Sequence, residues 1–141
     1  MALHLIRAKQ LILTLTGIIR MTKIAKRKTF TPLVDQIIEG LEDIKGENIL
    51  VLDLRNLENS ICDFFVIAEG NSNTQVNALA NAVEKRVREN LNDKPWHTEG
   101  SGNAEWVLLD YVHVAVHIFQ RSVREFYDLE SLWGDAKITK M

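Results

Sequence analysis

Asn48-Ile49-Leu50-Val51-Leu52-Asp53-Leu54 and Asp63-Phe64-Phe65-Val66-Ile67-Ala68 are the two stretches whose reading decides the fold. In each, apolar residues follow one another without a break, whereas a strand with one wet face alternates. Unbroken apolarity predicts strands covered on both faces, hence an α/β layer arrangement. Asn56 to Ser60 is the turn between them.

Upstream, Thr31-Pro32 is a helix-start pair, a hydroxyl to cap free amides followed by proline at the first helical position. Val34, Ile37, Ile38, Leu41 and Ile44 then recur at helical spacing, and Gly46 is expected to end the element. Downstream, Ser72 and Gln75 form a capping box. Val76, Leu79, Val83, Val87 and Leu91 stripe the helix that follows, with Glu84 and Arg88 able to pair on its other side. Asn92 to Pro95 breaks it. Glu105–Leu109 and Val112–Phe119 read as two strands with Asp110 and Tyr111 at or near the turn. In the second, Val112, Val114, Val116 and Ile118 fall on one face and His113, Ala115, His117 and Phe119 on the other. A short helix around Arg121 to Leu129 and a turn to Trp133 close the domain.

Charge is informative by position. Of 17 basic and 19 acidic residues, seven basic and no acidic ones lie in residues 1–30, which leaves 31–141 with ten against 19, net −9. Phosphate backbones repel so acidic a domain, so little direct nucleic-acid contact is expected and a basic protein partner suits it. Residues 1–30 read as a basic extension, 31–136 as the domain and 137–141 as a tail. The run Leu11–Ile19 is too short to cross a bilayer, which takes about 20 residues. Basic residues rather than a cleavage site follow it, so no membrane span is expected and translation is expected to begin at Met21. The lone Cys62, beside an apolar run, suits a reduced, cytoplasmic compartment and reads as a small hydrophobe.

No pattern fixes a catalytic centre. His113 and His117 are four apart, but on a strand that separation is roughly 13 Å, too far for one ion to bridge. Asp53, Asp63, Glu99, Glu105 and Asp110 include strand-end carboxylates, yet no phosphate loop, dinucleotide fingerprint or nucleophile elbow accompanies them. Gly70 and Ser72 read as helix capping rather than an anion site. No metal or cofactor is expected.

The aromatic residues carry more. Trp96, Trp106, Tyr111, Phe126, Tyr127 and Trp133 crowd into residues 96–133, interleaved with Glu99, Glu105, Arg124 and Glu130. Aromatics with arginine are what interface hot spots are made of. Trp106 is expected at an interface, Trp133 in the core or a dimer contact.

The same residues carry a family resemblance. Asp53-Leu54-Arg55, Asp63-Phe64-Phe65-Val66-Ile67, Glu99-Gly100, Glu105-Trp106-Val107-Leu108-Leu109-Asp110-Tyr111, Val114-Ala115-Val116-His117-Ile118-Phe119, Arg124, and the run from Phe126-Tyr127-Asp128 to Trp133-Gly134-Asp135-Ala136 are together similar to the ribosomal silencing factor, or iojap, family. The likeness covers residues 31 to 136. It implies a mixed five-stranded sheet flanked by helices, nucleotidyltransferase-like in shape, and a tendency to form homodimers. It also implies binding to the fourteenth protein of the large ribosomal subunit, which blocks joining to the small subunit and lowers translation when nutrients are scarce. Carried over by position, the partner-facing residues are Trp106 and Tyr111, with Glu99, Asp110, His117, Arg124 and Tyr127 as neighbours. The shape does not bring nucleotidyl transfer, because no Gly-Ser followed by an Asp-x-Asp pair is present. The rival expectation is a nucleotide-handling enzyme using carboxylates near Asp53 and Asp63; a purely architectural dimer is a third.

Overall fold

Helix α1 (Pro32–Asp43) starts on the Thr31 hydroxyl, which accepts from the Val34 amide at 3.2 Å, with Pro32 where its missing N–H costs nothing. The computed structural model describes residues 30–141, so the expectations for the basic extension and Met21 lie outside the described residues. The end of α1 differs from the sequence reading. Lys45, not Gly46, takes the left-handed conformation (φ 59°), and the Gly46 amide donates to the Leu41 carbonyl at 2.8 Å. Glycine serves there for closeness: a Cβ on Gly46 would meet that carbonyl oxygen at 3.0 Å and Leu79 Cδ2 at 3.1 Å.

Strands β1 (Glu47–Asp53) and β2 (Phe64–Gly70) follow, antiparallel, and every residue of β2 is buried. Helix α2 (Asn73–Leu91) begins at Ser72, whose hydroxyl accepts from the Gln75 amide at 3.1 Å. The Gln75 side chain reaches back one residue further than the usual box and accepts from the Asn71 amide at 2.6 Å. Asn92, left-handed at φ 51°, ends the helix. Val76, Leu79, Val83 and Val87 bury its apolar stripe. Arg86 binds α2 to α1, meeting Gln36 at 3.1 Å, Asp43 at 2.8 Å and also Glu39.

The rest comprises β3 (His97–Glu99), β4 (Trp106–Asp110), β5 (Val114–Gln120), short helices α3 (Arg121–Tyr127) and α4 (Leu129–Leu132), and β6 (Lys137–Lys140). The sheet order is β3-β4-β5-β2-β1-β6, with β2 and β5 the parallel pair at its centre. Six strands stand where five were expected. The sixth is the expected tail: Lys137-Ile138-Thr139-Lys140 pairs antiparallel with β1, setting Ile138 opposite Leu52. Four residues, two of them charged, carry too little pattern to announce a strand, and the unpaired edge of β1 supplies the partner.

Alternation along β5 sorts two cores. Val114, Val116 and Ile118 share one parity and are fully buried. Ala115 and Phe119 take the other and join Leu52, Phe65 and Ile67, against which Val123, Leu129 and Trp133 pack.

An ion pair lies inside this architecture. Glu69, near the end of β2, has a side chain only 5% exposed, and Arg124 meets it at 3.0 Å while Arg121 holds its other oxygen at 2.6 Å. Arg124 also donates to the Asn48 carbonyl at 2.7 Å and to Glu130 at 2.7 Å. Burial alone pushes the Glu69 carboxyl up, but hydrogen bonds from Arg121 and Asn48 and the two guanidinium charges outweigh it, and it ends below its ordinary value.

Candidate partner-binding face

Trp106 sits where strand pairing and aromatic packing coincide. On β4 it stands opposite Phe119 of β5, ring centroids 4.8 Å apart, and Tyr127 of α3 lies at 4.8 Å on another side. Its indole Nε1 donates to His117 Nδ1 at 3.1 Å. A tryptophan is thereby half-buried and held in one orientation, which lowers the entropy lost when a partner covers it.

His117 is the support for that ring. It is 6% exposed, edge-on to Phe65 at 4.7 Å, and burial pushes its imidazole down to about 4. The ring is therefore neutral at physiological pH, with Nδ1 accepting and the proton on Nε2. A depressed histidine stabilises the fold fully above the unfolded value near 6.5, and that contribution is lost as pH falls toward the folded value. We expect roughly 2–3 kcal/mol of stability to disappear from this source between about pH 7 and about pH 4.5. Urea midpoints at the two pH values, compared with those of His117→Asn, check it; an equal pH dependence in the variant would refute the assignment.

Beside this pair the outer side of β4 is only half covered. Its Val107 and Leu109 are buried, whereas Trp106, Leu108 and Asp110 are partly open. A groove of about 600 Å³ runs there, lined by Ile61, Phe65, Trp96, Leu108, Asp110 and Val112 among others. Trp96 is 83% exposed and Ile61 74% on its rim, and Phe126 and Leu132 are exposed on the short helices. So much bared apolar surface is what a docking face presents.

The sequence-predicted residues divide. Trp106 and Tyr127 meet, Asp110 lines the adjoining groove, and Glu99 stands opposite Leu108 across β3 and β4, its carboxylate 2.7 Å from His97 Nε2. Three others are buried. Tyr111 is 5% exposed, because it continues the inward parity of Val107 and Leu109. Burial, then the charges of Glu84 and Asp93, push its phenol up. Arg124 is consumed by Glu69 and Glu130. His117 is buried and accepts the Trp106 indole N–H. Ile61, Leu108 and Val112 were not singled out by the sequence. An isolated apolar residue in a loop carries no periodicity, so no sequence signal marks Ile61; Val112 was read as the first residue of the second strand, but β5 begins at Val114 and Val112 is half-exposed in the turn before it.

Of the carboxylates named for the rival enzyme, Asp53 is tightly paired and Asp63 is half-exposed. Arg55 grips Asp53 through two bonds, at 2.9 Å and 2.7 Å, and holds its carboxyl below the ordinary value. Asp63 lies 3.7 Å from His113. Burial pushes the Cys62 thiol up to about 11, so it is no nucleophile at neutral pH. Among the described residues no group of three or more His, Cys, Asp and Glu side chains is placed to hold a metal ion, and no helix is long and apolar enough to cross a membrane.

Comparison with known proteins identifies the family. The family model described as "ribosomal silencing factor during starvation" matches residues 27–141. The chain belongs to the ribosomal silencing factor family. A family member from Chromobacterium violaceum is 45% identical over 100 residues, which cover 71% of this chain and 80% of that protein. Another, from Bacillus subtilis, is 38% identical over 100 residues, covering 71% and 83% respectively. A crystal structure of a Chromobacterium violaceum protein superposes with a TM-score of 0.70 at 40% identity, covering 76% of this chain and 88% of that one. The silencing factor match extends through β6, so the family pattern includes the edge strand.

Proposed function

We propose that this silencing factor binds the fourteenth protein of the large ribosomal subunit through the Trp106 face and, by bulk, keeps the small subunit from joining, so that translation falls under nutrient limitation. The observation that carries the reading is the half-buried Trp106 ring, oriented by His117 beside an apolar groove on a domain of net charge −9. Ribosomal proteins are generally basic, and the charge steers the domain toward a protein patch and away from the surrounding RNA. A contact of ordinary size, on the order of 1,600 Å² in total, is large enough to obstruct a second body. The proposal needs no catalysis, metal or cofactor. It places the protein in the cytoplasm, with Tyr127, Asp110 and Glu99 around the anchor, and allows a homodimer as the unbound form.

Sedimentation tests it. The protein should travel with isolated large subunits and reduce their joining to small subunits in proportion to its occupancy. Large subunits that do not retain it, or that join normally when saturated with it, would refute the reading.

A further inference from the structure

We infer that the groove beside Trp106 receives an apolar side chain carried next to a lysine or arginine on the partner protein, and that Val112 is held in a strained turn to form its rim. The inference rests on the reading that this face meets a protein, and it specifies the chemistry of what enters.

Val112 has φ 74°, in the left-handed region, which β-branched residues avoid. The His113 amide donates to the Tyr111 carbonyl at 2.9 Å across it, closing a γ-turn, and the Val112 amide donates to Asp110 Oδ1 at 2.8 Å. Glycine would take this conformation without strain. Burial does not offset the strain, since the Val112 side chain is 52% exposed. Strain that returns nothing to the fold is found where a residue contacts a ligand. Here the valine is set against the same groove as Ile61, Trp96 and Leu108. Its volume falls in the range of about 300–1,000 Å³ usual for ligand clefts.

Charge selects the occupant. Asp110 lines the groove, and the carboxylates of both Asp110 and Asp63 act on the thiol of Cys62, which lines it too. A second copy seated in the groove would set its own Asp110 carboxylate near this one, and a phosphate group would be repelled likewise. An apolar side chain flanked by a cation satisfies both the walls and the rim.

The test uses the full chain with Val112→Gly and Asp110→Asn. Glycine relieves the turn, so Val112→Gly should melt at or above the wild-type temperature and yet bind isolated large subunits at least about fivefold more weakly. Asparagine keeps an oxygen for the Val112 amide, so Asp110→Asn should keep the turn and lose affinity together with part of its salt dependence. A second arm needs no ribosome. Acetyl-Lys-Leu-Arg-amide titrated into the free protein should shift the methyl resonances of Ile61 and Val112, and acetyl-Glu-Leu-Glu-amide should not. Wild-type binding by Val112→Gly, melting of that variant below wild type, or equal responses to the two peptides would overturn the inference. So would a change in self-association in either variant, which would make a second copy the occupant. If large subunits fail to hold even the wild type, the functional reading falls, and the peptide arm alone decides the groove.

Discussion

Trp106→Ala lowers affinity for isolated large subunits by about 30- to 900-fold, the expected effect of removing an anchor worth roughly 2–4 kcal/mol. The size follows from the ring's surroundings. Phe119 and Tyr127 flank it at 4.8 Å and His117 fixes its orientation at 3.1 Å, so a partner meets a rigid aromatic surface. The substitution also strips packing from the outer core, and a urea melt must accompany the binding measurement. A variant that still melts cooperatively but is no longer retained gives the expected pattern. Trp106→Phe isolates the hydrogen bond: it keeps most of the apolar area but leaves His117 Nδ1 without its donor. It should fall between wild type and alanine. Retention of Trp106→Ala at wild-type affinity would move the partner contact elsewhere on the molecule.

Arg124→Ala is expected to cost about 3–5 kcal/mol of folding stability while touching no partner. The loss comes from the charge left behind. Glu69 is 5% exposed, and with Arg124 gone its charge is left to Arg121, itself half-exposed, at 2.6 Å and to the hydrogen bond from Asn48. The Asn48 carbonyl loses its donor as well. pH supplies a check on the cause. The Glu69 carboxyl lies below its ordinary value, so its pairing contributes stability above the unfolded value, near 4.3, and loses it as pH falls through the folded one. The gap between wild type and Arg124→Ala in urea should therefore narrow on going from about pH 7 to about pH 3. A loss under about 1 kcal/mol at neutral pH would show that water reaches Glu69 and that the network is a surface one.

These two arginine and tryptophan positions stand on opposite sides of what the chain makes legible. Trp106 stands out in the sequence because aromatic residues crowd around it within an acidic domain. Arg124 was read as partner-facing, and its burial was not legible for a physical reason. Its burial depends on Glu69, a single carboxylate at the end of an apolar run, and nothing in either local pattern shows that β2 and α3 meet. Tyr111 failed differently. Its parity along β4 was visible in Val107, Leu109 and Tyr111, but placing the turn at Asp110 and Tyr111 hid it. The chain in fact reverses at Val112, one residue later, and Tyr111 remains an inward-facing strand-end residue.

By itself the sequence determined the helices and the buried strands, because caps and hydrophobic periodicity are written within a few residues: Thr31-Pro32, Ser72 with Gln75, and the unbroken runs of β1 and β2. It determined the sign of the domain's charge and the crowding of aromatic residues into 96–133, both read directly from composition. Tertiary structure alone decided that a sixth strand closes the β1 edge, that His117 turns inward to hold Trp106, that Arg124 neutralises Glu69, and that a groove opens beside β4. Each of these is a pairing between residues far apart in the chain, and its free energy depends on which partner arrives, a quantity no local pattern contains.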